Sequence, residues 1–367
     1  MNRTYFFLTL ILVYQALLLA VVAAVGWWLK PYWQRFGRRN AMLLLWLALN
    51  GVLAASMLRL GPMGFKSGGM VLMLVFYAAF TAVLALAAYA LLWLLRRPAV
   101  QAARWVRIGA PLLFVGWLGL GWWSAYSPQV VRYDLSISKP LAQPLKIALV
   151  SDLHLGQWVG KRQLHKLADI MAQEQPDIIL IAGDVMDDVP DVYRQQNMQA
   201  AFARLQAPLG VYATLGNHDN YGGVQGDIVH DIRAAGVVPL RDEVRKVHNR
   251  LWLVGRRDDV EAGRRPLSAL MNDTLRQSPL PVVVIDHQPT EALRNSREAI
   301  DLQVSGHTHR GQVWPATWLV RRFQTYDYGH FELNGRHLVV SSGYGLWGVP
   351  LRIGTRAEVA MITLHNP

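Results

Sequence analysis

Lys146-Ile147-Ala148-Leu149-Val150-Ser151-Asp152-Leu153-His154 decides how the second half of this 367-residue chain reads. A short apolar run of strand length ends in an acid and an imidazole two positions apart. In an extended strand end, alternation puts Asp152 and His154 on one side, where both can reach a single cation. The arrangement recurs four times. Ile178–Ile181 leads into Gly183-Asp184-Val185-Met186-Asp187, and Val211–Leu215 into Gly216-Asn217-His218-Asp219. Val282–Ile285 leads into Asp286-His287-Gln288-Pro289, and Leu302–Val304 into Gly306-His307-Thr308-His309. Between the first two runs, Lys161 to Gln173 carries Leu164, Leu167, Ala168 and Met171 at helical spacing, which predicts a helix. Buried strands alternating with helices, with polar clusters at the strand ends, describe an α/β layered domain whose site lies at the carboxyl edge of its sheets.

Upstream of this domain the chemistry changes. Residues 1–127 hold eleven Lys or Arg and no acid, the first carboxylate being Asp134, and all eleven histidines lie at or after His154. The formal charge of +12 is therefore confined to the first part, because the remaining 26 basic residues nearly cancel the 25 acidic ones. A nucleic-acid binder would concentrate cations on one face of a soluble domain, whereas these sit between hydrophobic runs, so no nucleic-acid partner is expected. Four stretches reach the length of about 20 apolar residues that a membrane span needs: Tyr5 to Leu29, Ala41 to Leu60, Met70 to Leu95 and Ile108 to Tyr126. They lack the polar stripe of amphipathic helices buried in a soluble protein. Arg3 makes a thin leader charge, and no small-x-small cleavage site precedes Trp27 and Trp28, so a cleaved signal peptide is not expected.

The loop charges predict orientation. Lys30, Arg35, Arg38 and Arg39 mark the first loop and Arg96, Arg97, Arg104 and Arg107 the third, against Arg59 and Lys66 around the second. The positive-inside rule then makes the first and third loops cytoplasmic and both termini extracytoplasmic, in an inner (cytoplasmic) membrane. Trp27, Trp28, Trp33, Trp93, Trp105, Trp122 and Trp123 lie near span ends as interfacial anchors contacting membrane lipid. The expected organisation is a transmembrane domain over 1–127, a linker over 128–145 with one short strand from Val130 to Ile137, and a catalytic domain over 146–367.

The absence of Cys excludes thiolate ligands, so a metal must be held by O and N donors. Carboxylate and amide oxygens mixed with imidazoles suit Mn²⁺, Fe or Zn²⁺ better than Ca²⁺, which takes oxygen ligands. His165, His230, His248, His330, His337 and His365 lie outside the clusters and read as surface residues.

In order, the five clusters match Asp-x-His, Gly-Asp-x-x-Asp, Gly-Asn-His-Asp/Glu, a lone His and Gly-His-x-His. Over about residues 146 to 364 the chain resembles the calcineurin-like metallophosphoesterase superfamily, in particular its bacterial membrane-associated branch. The resemblance implies an αββα-type sandwich and two divalent metal ions. By it, Asp152, His154 and His309 would hold the first metal, Asn217, His287 and His307 the second, and Asp184 would bridge them. His218 would be the general acid or transition-state stabiliser, oriented by Asp219, with Asp187 supporting the site from behind. Two cations sharing Asp184 would activate a water to attack a phosphate in line.

The expected function is a membrane-anchored hydrolase of a phosphomonoester, phosphodiester or pyrophosphate bond, with a lipid-linked or envelope substrate favoured. One alternative is similarity to the members that split UDP-diacylglucosamine in lipid A synthesis, which requires a cytoplasmic-facing site. Another is a receptor or scaffold that binds without turnover, which the complete ligand set and His218 oppose. The closing Ser341-Ser342-Gly343-Tyr344-Gly345 resembles that of bacterial members, and Arg352 after it could meet a phosphate or form a structural ion pair.

Overall fold

Four apolar stretches form four long helices: α1 (Arg3–Leu29), α2 (Arg35–Met57), α3 (Phe65–Leu94) and α4 (Ala99–Tyr126). The computed structural model describes every residue except 1, 2, 34 and 61–63, and the side chains of all the rest except 3, 4, 6, 7, 35 and 36. Arg3 and Arg35, read from the sequence as a leader charge and a loop charge, thus have side chains outside the described ones. All four helices are long and apolar enough to cross a membrane. Leu12, Leu44, Leu86 and Leu112 stay exposed on them, as side chains facing lipid would. α2 and α4 begin earlier than the apolar runs do. Arg38, Arg39, Arg104 and Arg107 therefore sit on helical turns rather than in loops, because Arg is a good helix former and nothing there breaks the helix.

The chain divides into two compact units, Met1–Leu120 and Gly121–Pro367. Within the first, Tyr14, Leu18, Val21, Val71, Val75 and Ala79 form a buried cluster. A polar triad ties α1 to α2: Gln15 Nε2 donates to Asn50 Oδ1 at 2.6 Å and Trp46 Nε1 to Gln15 Oε1 at 3.2 Å. In hydrocarbon such groups must find each other, and here they do.

The second unit contains two six-stranded sheets. The first has the order β1 (Gln129–Ser136), β12 (Glu358–His365), β2 (Leu145–Val150), β3 (Ile178–Ala182), β4 (Val211–Thr214) and β5 (Val238–Pro239). The second has the order β10 (Gly329–Leu333), β11 (Arg336–Val340), β9 (Leu302–Ser305), β8 (Val282–Ile285), β7 (Leu251–Gly255) and β6 (Glu243–Val247). The central strands β2 to β5 and β7 to β9 run parallel, so each group sends its carboxyl ends the same way.

Alternation explains the layers. Leu145, Ile147 and Leu149 of β2 face Leu253, Ile285 and Val304 in the core between the sheets. Ala148 and Val150 point the other way, under Leu164, Leu167 and Met171 of the helix α5 (Lys161–Glu174). Beyond the second sheet, Val254, Val282 and Val284 bury against Leu267, Leu270 and Leu275. The result is the αββα sandwich. Strands covered on both faces read as continuous apolar runs, and each fully buried Leu, Ile or Val contributes about 1.5–3 kcal/mol.

The stretch 128–145, expected as a linker with one short strand, contains that strand as β1, which joins the first sheet of the second unit. β1 pairs in parallel with β12 through eight residues, from Gln129↔Glu358 to Ser136↔His365, and buries Leu135 in the inter-sheet core. Only Ser127 and Pro128 separate it from the end of α4. The strand reads as isolated in the sequence because its partner lies more than 200 residues later.

Candidate metal centre

The seven residues of metal-ligating type all follow directly on the carboxyl ends of central strands. Asp152 and His154 follow β2, Asp184 follows β3 and Asn217 follows β4. His287 follows β8, and His307 and His309 follow β9. The first sheet supplies the carboxylates and the amide, the second sheet only imidazoles.

Extended-strand alternation does not bring them together, contrary to the expectation from spacing. Asp152, His154, Asp184, His307 and His309 have φ of 54°, 45°, 49°, 71° and 47°, all in the left-handed region. Each such backbone costs about 1–3 kcal/mol and persists because its surroundings over-determine it. Here the backbone bonds Asp152 N to Gly183 O (3.0 Å) and His154 N to Asp184 O (2.9 Å) hold the turns, and Asp152 accepts from His307 N at 3.0 Å. Gly183, at φ 77°, has no room for a Cβ because the His287 ring lies against it. Gly216 is fixed in the same way by the Asp184 carboxylate.

Two donor sets result. In one, His154 Nε2 faces His309 Nε2 at 3.1 Å, and His309 Nε2 lies 3.5 Å from Asp152 Oδ1. In the other, Asn217 Oδ1 is 3.1 Å from His287 Nε2 and 2.9 Å from His307 Nδ1. Asp184 Oδ2 lies between them, 3.6 Å from His154 Nε2 and 3.3 Å from His287 Nε2. His287 Nδ1 donates to the Ala182 carbonyl at 2.8 Å, which aims Nε2 into the site.

A divalent cation fits these residues. The Nε2 atoms of His154 and His309 both point into the site, where the nearest polar atoms are other donors of the same set. The ligand atoms of Asp152, His154 and His309 lie within 4.8 Å of one another, as do those of Asp152, Asp184 and His287. Burial pushes His154 down to about 3, and burial with the nearby His287 pushes His307 down to about 4, so both imidazoles are neutral and free to ligate at pH 7. Burial and the adjacent His154 lower His309 as well. Asp152 is lifted to about 6 by burial. Burial alone would raise Asp184, but the surrounding His287, His154 and His218 hold it below the usual carboxylate range. His287 goes the other way: burial opposes its charge, yet Asp184, Asp152 and Asp258 raise it well above 6.5.

His218 lies beside this cluster, its ring centroid 4.9 Å from that of His154. Its backbone N–H donates to Asp184 Oδ1 at 2.8 Å. The expectation that Asp219 orients its ring gives way to a different pairing. Asp219 is fully buried and its carboxylate accepts from the backbone N–H of Val185, Met186 and Gly216 at 3.0, 2.8 and 2.8 Å. His218 Nδ1 meets Asp188 Oδ1 instead, at 2.6 Å, and this acid together with Asp184 raises the imidazole despite its burial. The signal for Asp188 was a second acid directly after Gly-Asp-x-x-Asp. Asp187 approaches His154 Nδ1 at 3.9 Å.

Arg352 also differs from expectation. It is fully buried and donates to the carbonyls of Gly343 and Gly345 at 3.0 and 2.8 Å. Since Gly345 N donates to Asp152 O at 2.8 Å, Arg352 supports the backbone under the site. The sequence also missed the buried group behind His287. Asp286 accepts from Arg256 and Arg264 at 3.0 and 2.9 Å, and Gln288 donates to the buried Asp258 at 3.1 Å. Of the six histidines left outside the site, His165 and His230 are exposed, and His330 and His337 pair with each other at 3.0 Å.

The calcineurin-like phosphoesterase family profile matches residues 145–311, the segment that contains all seven candidate ligands. A metallophosphoesterase of Helicobacter pylori is 30% identical over 266 residues, which span 71% of this chain and 70% of that protein. One of Aquifex aeolicus is 31% identical over 253 residues, 66% of this chain and 93% of that protein. The transmembrane protein with metallophosphoesterase domain of Danio rerio is 30% identical over 263 residues, and this chain spans 59% of its length. The chain belongs to the calcineurin-like metallophosphoesterase family, and it is a membrane protein.

Proposed function

We propose that the chain is a membrane-anchored, metal-dependent phosphoesterase that hydrolyses a phosphomonoester, phosphodiester or pyrophosphate bond, with a lipid-linked or envelope substrate favoured. The observation that carries this reading is Asp184, one of whose oxygens faces an imidazole from each donor set. Asp152, His154 and His309 would hold one divalent cation, and Asn217, His287 and His307 a second, with Asp184 shared. Mn, Fe or Zn suits this mixed oxygen and nitrogen set. Bound there, the ions supply Lewis acidity toward phosphate oxygens and lower the pKa of water at neutral pH. His218, kept cationic by Asp188, hydrogen-bonds a phosphoryl oxygen or protonates the leaving alkoxide. Asp219 holds the β3 and β4 turns on which Asp184 and His218 ride.

The favoured lipid-linked substrate follows from the four membrane helices carried on the same chain. Orientation selects which esters the site meets. The excess of Lys and Arg in and around the first and third connections, over that around the second, favours an extracytoplasmic catalytic unit, and a paired reporter fused after Pro367 reads it directly. A cytoplasmic C-terminus would instead favour a UDP-diacylglucosamine-type substrate. For the reaction itself, the full chain loaded with Mn²⁺ is expected to hydrolyse p-nitrophenyl phosphate or its bis-ester. The proposal fails if it cleaves neither and Asp184→Ala changes nothing.

A further inference from the structure

The helix Ala316–Phe323 in the second unit buries none of its eight residues. Ala316, Leu319, Val320 and Phe323 stand at i, i+3, i+4 and i+7, the spacing of one continuous apolar face. That face is open: Leu319 is 42% and Phe323 77% exposed. Arg321 and Arg322 are exposed on the other side, with the exposed Trp318 between them. So short a helix is marginal in water by itself, and a helix in a globular domain normally buries its apolar face.

Its attachment shows what lies next to it. Trp314 N, at its entry, donates to Ile353 O at 2.7 Å, and Thr355 Oγ1 donates to Gln312 O at 2.8 Å. The 351–357 segment is fastened in turn to the last turns of α4. Arg352 N donates to Gly121 O at 2.9 Å and Ala357 N to Ser124 O at 3.1 Å, and Ile353 lies so close to Gly121 that a Cβ there would collide with it. The Arg356 guanidinium covers the Trp123 ring at 4.4 Å. Residues 121–126 thus belong to the catalytic unit while ending a helix that is long and apolar enough to span a membrane. The open apolar face is tied by two sets of hydrogen bonds to the end of that span. Trp122 and Trp123 are exposed there as well.

We infer that Ala316–Phe323 lies in the interfacial layer of the bilayer, its apolar face against the acyl boundary and Arg321 and Arg322 among anionic headgroups. Aromatic and aliphatic residues on one face with arginines on the other suit that layer. The seat adjoins the site. Gln312, three residues after His309, donates to the Trp347 carbonyl at 2.9 Å, and the exposed Trp347 ring lies 6.1 Å from that of His218. On the catalytic reading above, the rim of the site then opens at the lipid surface, which makes phosphate esters carried on lipid headgroups the substrate class. The position of the helix does not depend on that reading.

The chain has no Cys, so single-cysteine variants label cleanly. Leu319→Cys, Phe323→Cys and, as a water-facing reference, His230→Cys would be spin-labelled in the full chain, reconstituted into vesicles of phosphatidylcholine and phosphatidylglycerol. Accessibility to oxygen and to a water-soluble nickel chelate then reports depth. At 319 and 323 oxygen should exceed nickel, at a depth of about 5–10 Å below the headgroups. At 230 nickel should exceed oxygen. Labels at 319 and 323 as open to nickel as the one at 230 would overturn the inference. All three positions are exposed, and an unchanged thermal melt verifies the fold of each variant. Failure of ester hydrolysis would sink the catalytic reading without moving the labels.

Discussion

The two sheets of the catalytic unit end in different chemistry. The first brings Asp152, His154, Asp184 and Asn217, and the second brings His287, His307 and His309. Neither holds a complete donor set alone, since His309 completes the Asp152 set and Asn217 completes the His287 and His307 set. The site therefore exists only once the sandwich has closed, and whatever binds it also holds the two sheets together.

The hardest way to break this arrangement is Asp184→Ala, because that carboxylate faces both sets. Hydrolysis should fall about a thousandfold, the upper end of what removing one preorganised electrostatic element costs, with metal content dropping in parallel by elemental analysis. Chelation should loosen the sandwich next. Ligands at a thousandfold over their dissociation constant stabilise by about 4 kcal/mol, so EDTA should lower the melting temperature of the catalytic unit, and metal should fail to restore it in His287→Asn.

Protons sharpen the contrast between the donor sets. Near pH 7, His154 and His309 are neutral and bind metal without losing a proton, whereas His287 is held protonated by Asp184 and must release one. Affinity at the His287 set should thus rise with pH until the raised pKa of His287 is passed, with proton release on binding read by calorimetry in buffers of differing ionisation enthalpy.

Two smaller effects separate the acids around His218. Its folded pKa is raised, so its cationic form is present below that value and lost as pH rises through it. Asp188→Asn removes a cause of the rise and should move the alkaline limb of the rate profile to lower pH. Asp219→Asn should leave that limb in place and cost about 1–3 kcal/mol in denaturant unfolding, since it disturbs buried backbone hydrogen bonds.

Much of this was legible in the linear chain for a local reason. A cluster of metal-binding residue types directly after a buried strand is a contiguous string, so the residues that converge at the strand ends, Asp152 through His309, could be named one by one. The four spans were equally plain, because a run of membrane length without an acid suits hydrocarbon far better than water. Three of the errors were nonlocal. β1 looked like a linker because β12, its partner, comes at the other end of the domain. Asp219 looked like the partner of His218 because they are adjacent, yet three backbone amides take its carboxylate. Arg352 looked like a phosphate or carboxylate contact until its burial under Gly343 and Gly345 gave it another task.

By itself, then, the sequence determined residue types and their local order: which segments are apolar enough for lipid, which strand ends carry oxygen and nitrogen donors, and that no thiolate takes part. Tertiary structure alone decided direction. Left-handed turns at five ligand positions, rather than strand alternation, aim the side chains, and packing of one sheet on the other sets which imidazole meets which carboxylate. Periodicity is a property of neighbours in the chain, whereas the aim of a side chain past a strand end is set by bonds to residues far away in sequence.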